Sequence, residues 1–426
     1  MSFHYRDGVL HADAVSLDAI AKQVGTPAYV YSAEMLLDAA RQFRAALAGV
    51  PNKQLLFAVK ANPAHAILTL LAEEGYGADI VSGGELAAAR RAGMPAHRIV
   101  LSGVGKTPNE LAAALDAGIG SINLEHEREG ELLSALAVAR GMRAPALLRV
   151  NPGIDAGTHA KITTGTSDSK FGVPLAEALA VYERLSRLPG LALHGVAVHI
   201  GSQIIDLAPL ETAYRRIGDL ILALRHHGHR ITHADLGGGL GVAYRAGQPD
   251  ADVYAYGLMV TRVTRAWETT LLFEPGRFIA ARAGVLLTRV LWVKPGARHP
   301  FVIVDASMTD LIRPALYDAW HEFAAVRPSG KRMIADVVGP VCESSDVFAR
   351  AREIDRMVEG DLAIFHTAGA YGATMSSIYN CHALAPEVLV HGRRSAVISS
   401  RVEPAALRRQ SLPDWFEHAP RAIRAA

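Results

Sequence analysis

A lysine closes an apolar run in "LLFAVKANPAHAIL", residues 55–68. Lys60 follows Leu55, Leu56, Phe57, Ala58 and Val59, which read as a buried strand. Asn62-Pro63 then breaks the run, and 64–74 reads as a helix. Other reactive residue types stand where later apolar runs stop. His199 and Ser202 lie in "HIGSQ", Gly237, Gly238 and Gly239 in "DLGGGLG", and Glu274, Gly276 and Arg277 in "EPGR". Together these offer an amine, an imidazole, a carboxylate and a glycine loop with free backbone N–H groups. That set suits pyridoxal 5'-phosphate. The amine forms an imine with the aldehyde, and the loop cradles the phosphate. The imidazole lies against the ring, and the carboxylate keeps the ring nitrogen protonated.

Each residue has a plainer reading when taken singly. Lys60 snorkels to the surface, the glycines make a tight turn, His199 is a satisfied core histidine, and Glu274 caps a helix. What sets these aside is the order of the elements. Eight short apolar runs, at 54–59, 78–81, 99–102, 121–124, 146–150, 193–200, 231–236 and 271–274, alternate with helical patterns. One such helix opens with Thr107 three residues before Glu110, a capping box, and Pro108 in its first turn. Strict alternation over eight strands predicts a (β/α)8 barrel. A barrel gathers its reactive groups at the C-terminal strand ends and binds phosphate after its last two strands. Lys60, Asp79, Arg149, His199, the glycine loop and Glu274 all fall at or near such places.

After residue 285 the rhythm changes to strands separated by turns, as in "GVLLTRVLWVKPG", "PFVIVDAS" and "PEVLVHG". The expected organisation is a barrel over 28–285 and a mostly β domain over 286–426, to which 1–27 contributes a strand. The formal net charge of +2, without a basic stripe, argues against nucleic acid. No secretory leader pattern or membrane-length apolar stretch is present. The two cysteines, Cys342 and Cys381, make no disulfide framework, so a cytoplasmic enzyme without a metal is expected. The histidine-rich "HHGHRITH", 226–233, reads as a solvated helix end.

The motifs "FAVKAN", "DIVSGGEL", "RVNPGIDAGTHAKITTG", "HIGSQ", "DLGGGLG", "EPGR", "DLIRPALYDAWH", "GPVCESSD" and "AGAYGATMSSIYN" together resemble the diaminopimelate decarboxylases, fold-type III pyridoxal-phosphate enzymes. The resemblance runs from about Gly25 to Val390. It implies Lys60 as the Schiff-base lysine, His199 as the ring-stacking residue, and Gly237, Gly238 and Gly239 with Ser202 and Tyr371 at the phosphate. Asp79, Gly276 and Arg277 join the cofactor site, with Glu274 at the pyridine nitrogen. Arg277, Arg313 and Tyr317 grip the substrate's far carboxylate, Glu343 its far amino group, and Tyr371 also touches substrate. Cys342 is implied as the acid that protonates the carbanion. Cys342 and Glu343 enter from a second subunit, so a homodimer with shared active sites is expected.

The implied reaction is decarboxylation of meso-diaminopimelate to L-lysine and carbon dioxide. Physical chemistry agrees with these assignments. A thiol titrates near enough to neutrality to return a proton, and the planar fork of an arginine suits a second carboxylate. Against these stand a buried apolar role for Cys342 and a surface position for Arg313. Cys381 is read as structural. Ser307 and Thr309 stand where the family more often has glycine and asparagine, Thr367 where aspartate is usual, and Ile378 and Cys381-His382 also depart. These departures keep open a decarboxylase of a modified or carrier-bound amino acid. A racemase of the same fold is a further alternative.

Overall fold

A computed structural model describes residues 3–157, 164–165 and 169–407. Part of the motif "RVNPGIDAGTHAKITTG" and the end of the expected second domain lie outside them.

Eight parallel strands form the barrel: β1 (Lys53–Ala58), β2 (Gly77–Ile80), β3 (Ile99–Leu101), β4 (Ser121–Leu124), β5 (Ala144–Asn151), β6 (Leu191–Ala197), β7 (His233–Asp235) and β8 (Thr270–Phe273). Each pairs with the next, and β8 pairs with β1, which closes the sheet. The strands could be found from sequence because both faces are covered: they read as continuous apolar runs rather than alternating ones. The Thr107–Glu110 capping box is formed, with Pro108 opening the helix Pro108–Ala117. The helix Ala208–His226 ends where the histidine-rich segment begins, and His227 Nδ1 lies 2.7 Å from Glu183 Oε1.

Strand lengths differ from expectation in ways that matter at the site. β1 stops at Ala58, so Lys60 sits in a single 3-10 turn, Val59–Ala61. β6 stops at Ala197, after a register shift between Leu193 and Gly195, which leaves His199 beyond the strand. Glu274 likewise follows the last residue of β8. These side chains therefore project from the rim of the barrel. The rim is fixed from outside by an aromatic cluster. The buried ring of Phe273 lies 6.3 Å from Phe43 on the helix Ala33–Ala46 and 6.4 Å from Tyr256 on the helix Val253–Thr264. Burying one such side chain stabilises by about 1.5–3 kcal/mol.

The second sheet is organised around the strand Gly284–Lys294. It pairs with Phe301–Val304, with Leu362–Phe365 and with Ala28–Ser32. Ala28–Ser32 was expected at the head of the barrel. It is instead hydrogen-bonded antiparallel to Gly284–Lys294 and parallel to Glu387–His391. All five of its residues are buried in this sheet, so the barrel begins after them rather than at residue 28. The N-terminal residues make a small antiparallel sheet of their own, Phe3–Arg6, Val9–Ala12 and Val15–Ser16. Leu10, Leu17 and Ile20 pack with Val30, Val285 and Val388 in one apolar core. The chain thus enters the second domain, traverses the barrel, and returns beside its point of entry.

Candidate active site

A cavity of about 470 Å³ opens at the C-terminal rim of the barrel, where the second domain covers it. Lys60, His199, Ser202 and Gly239 line one part of it, with Glu274 and Gly276. Arg277, Arg313, Tyr317 and Tyr371 line another. The Lys60 Nζ donates to Asp79 Oδ2 at 2.8 Å. Asp79 is fully buried on β2, and its other oxygen has no partner. Burial alone would lower the lysine, but Asp79 and Glu274 outweigh it and hold the ammonium above its ordinary range.

Glu274 is the most exceptional group. It is 8 % exposed, and its Oε1 has no hydrogen-bond partner. Burial, reinforced by Asp235 and Asp79, pushes its carboxyl well above the usual carboxylate range. A buried acceptor without a partner costs about 1–3 kcal/mol, so a donor in the cavity is what this oxygen requires. A protonated ring nitrogen is such a donor.

His199 is half-buried, and its Nδ1 accepts the N–H of Gly238 at 3.3 Å, which leaves the proton on Nε2. Burial, with Arg149 and Lys60 adding to it, holds its imidazole well below its ordinary pKa, so the ring is neutral. Gly238 itself has no room for a side chain, since a Cβ there would lie 2.1 Å from the Glu274 carbonyl oxygen. Gly239 has φ +116, a conformation open to glycine. The glycine loop therefore presses directly onto the segment carrying Glu274. Gly238→Ala must part the two, and the expected outcome is loss of cofactor with at least about 1–3 kcal/mol of destabilisation. Cofactor absorbance after gel filtration and a melting curve would check this. Full retention of bound cofactor would refute it.

Arg277 and Arg313 are each 6 % exposed. Neither is ion-paired with a carboxylate among the described residues. Arg277 donates through Nη1 to Tyr244 Oη at 2.7 Å and through Nε and Nη2 to Ser202 at 3.3 and 3.0 Å. Arg313 donates to His321 Nε2 at 3.0 Å. Tyr244, His321 and Trp320 escaped the sequence reading. Trp320 and His321 close the motif "DLIRPALYDAWH" and Tyr244 follows the glycine loop, but none carries a spacing signal of its own.

Cys342 and Glu343 do not line the cavity of their own chain. Both are exposed on the loop between Val338 and Val347, where Tyr379 donates to Glu343 at 2.7 Å. Asp346 holds that loop from below, accepting from Val341 N at 2.8 Å and from Met308 N at 2.7 Å. Cys381 is exposed on a 3-10 turn, not packed into a core as a structural cysteine would be. Ser307, Thr309, Thr367 and Ile378 lie outside the cavity lining. Ser307 and Thr309 pair their hydroxyls at 2.5 Å in the buried turn before Arg313.

Residues 36–281 match the family described as pyridoxal-dependent decarboxylase, pyridoxal binding domain. The chain is 51 % identical over 402 residues to the diaminopimelate decarboxylase of Zymomonas mobilis, covering 94 % of this chain and 96 % of that one. It belongs to the diaminopimelate decarboxylase family. Among solved diaminopimelate decarboxylases, the Helicobacter pylori structure complexed with L-lysine superposes with a TM-score of 0.88 at 36 % identity, covering 92 % and 98 % of the two chains. The diaminopimelate decarboxylase from M. jannaschii, also in complex with L-lysine, gives a TM-score of 0.90 at 32 % identity over 95 % and 96 %. The residues at this rim fit the cofactor named by the family model. An orphaned acid oxygen stands ready for a ring nitrogen, an amine shares its cavity, and a side-chain-free loop borders it.

Proposed function

We propose that this protein removes carbon dioxide from meso-diaminopimelate to give L-lysine, the closing step of lysine biosynthesis, with pyridoxal 5'-phosphate as its cofactor. The observation that carries the reading is the pair of buried arginines, Arg277 and Arg313, in the cavity that also holds Lys60. Two desolvated cations without a carboxylate partner favour a substrate that brings a second carboxylate. A diamine precursor lacking that group would leave both uncompensated.

Bound pyridoxal phosphate supplies an aldehyde for an amine and a ring that withdraws the electron pair left at Cα. The protein's residues do the rest. Lys60 presents the amine, and Asp79 holds it in place. Glu274 keeps a proton at the ring nitrogen, which makes the ring a stronger acceptor of charge. Neutral His199 adds no competing charge beside that ring. Gly237, Gly238, Gly239, Gly276, Ser202 and Tyr371 surround the phosphate end. Arg277, Arg313 and Tyr317 orient the far carboxylate, and Glu343 the far ammonium. The Cys342 thiol returns a proton to Cα.

Cys342 and Glu343 serve a second copy of the chain in this reading, as a homodimer with shared sites. Their exposure on a loop outside their own cavity supports it. Mixing inactive Lys60→Ala and Cys342→Ala proteins should restore decarboxylation, because one hybrid site regains both residues. Failure of exchanged mixtures to regain any activity would refute the shared site. A cytoplasmic location accords with two exposed, unpaired cysteines. Among the described residues, no helix is long and apolar enough to cross a membrane. The whole reading is tested by carbon dioxide and lysine release from meso-diaminopimelate with added cofactor. A protein that binds cofactor yet leaves this substrate untouched would overturn it.

A further inference from the structure

Two guanidinium groups share one wall of the cavity, and something must keep them there. Buried like charges repel, and without a carboxylate between them they would splay or draw in water. Ser202 and His321 each hold one of the two arginines. Tyr244 touches both. Its phenol oxygen accepts from Arg277 Nη1 at 2.7 Å. The Arg313 guanidinium lies 4.6 Å from the centroid of the same ring, and that of Arg277 lies 5.8 Å away.

The ring is in turn fixed edge-on against His321, at 5.3 Å and 81°. His321 cannot adapt, since its Nδ1 faces the carbonyl oxygen of His366 at 2.8 Å and must donate there. Its Nε2 is then an acceptor for Arg313. Tyr244 thus offers its oxygen to one guanidinium and its ring to the other. Burial would raise this phenol, yet Arg277 and Arg313 outweigh it and draw it below its ordinary range.

We infer that Tyr244 is a positioning residue that sets the spacing of Arg277 and Arg313, and thereby selects ligands carrying a carboxylate at the far end. Before substrate arrives, its oxygen gives Arg277 a partial counter-charge while its ring lies against Arg313. The inference rests on the reading of these arginines as the far-carboxylate grip. Decarboxylating one end of diaminopimelate leaves the other carboxylate on the product. L-Lysine therefore retains the group that the pair would hold, and cadaverine lacks it.

The test is titration of the cofactor-loaded enzyme and its Tyr244→Phe variant with L-lysine and, separately, with cadaverine. The variant keeps the ring beside Arg313 and His321 and loses only the oxygen. Its affinity for L-lysine is expected to fall about 10- to 100-fold, the loss of a hydrogen bond to charged groups. Its affinity for cadaverine should change by less than about threefold. The ratio of the two is independent of how much variant has folded. With substrate, KM should rise much more than kcat falls.

Equal losses for both ligands, or no loss for L-lysine, would overturn the inference. So would wild-type enzyme that does not bind L-lysine at all. If L-lysine binding depends on Tyr244 but meso-diaminopimelate is not decarboxylated, the positioning role stands and the proposed activity falls.

Discussion

Lys60→Ala protein is expected to release no carbon dioxide from meso-diaminopimelate above a rate about 10⁴-fold below wild type, the scale at which an essential nucleophile is lost. Among the described residues the side chain is the one amine that lines the cavity, and Asp79 fixes its position at 2.8 Å. The charge of Lys60 and its nucleophilicity can be separated. Lys60→Arg retains a cation for the buried Asp79, whereas a guanidinium is never deprotonated in a protein and is no nucleophile. Both variants should therefore be inactive. Only the alanine variant should be destabilised, because it strands a buried carboxylate. Release assays and melting curves on the two proteins would read these effects independently. Substantial activity in either one would remove Lys60 from its role.

Glu274→Gln should lower kcat by about 10²–10³-fold, the scale seen when a single electrostatic contact to developing charge is removed. The amide keeps the shape of the side chain and loses the charge that favours a protonated ring nitrogen. An opposite effect is expected on the cofactor-free protein. There the buried Glu274 carboxyl has one oxygen without a partner and lies close to Asp235 and Asp79. Removing a titratable group from such a place relieves repulsion, and the thermal midpoint should rise by about 1–3 °C. Slower catalysis together with a more stable apoprotein is the signature of an acid held in an unfavourable site for its chemistry. Unchanged kcat would show that Glu274 does not face the ring nitrogen.

The barrel was legible in the sequence because its strands are buried on both faces and several of its helices carry side-chain caps, as Thr107 does for Pro108–Ala117. Lys60, His199, the glycine loop and Glu274 were legible because strand ends mark them. Arg277 and Arg313 required family motifs, since nothing in local periodicity distinguishes a cavity arginine from a surface one. Tyr244 and His321 received no role, although His321 closes the motif that carries Arg313. Their function arises where loops after β7 and β8 meet the turn at Arg313, and sequence spacing does not encode that meeting. The domain boundary at residue 28, the head of Ala28–Ser32, was set too early for a related reason. An apolar run states that a strand is buried, but not which sheet buries it.

That same strand has a consequence for how the chain is made. Its five buried residues leave the ribosome long before Gly284–Lys294 and Glu387–His391, the two strands that flank it. At ordinary rates of synthesis the interval is on the order of tens of seconds. Throughout that interval an apolar edge waits while an entire barrel is built from the residues in between. The nascent protein therefore passes through a stage with a finished barrel and an unsatisfied strand, the kind of surface that chaperones bind and that aggregates recruit. A fragment ending just after β8 would be held at that stage permanently.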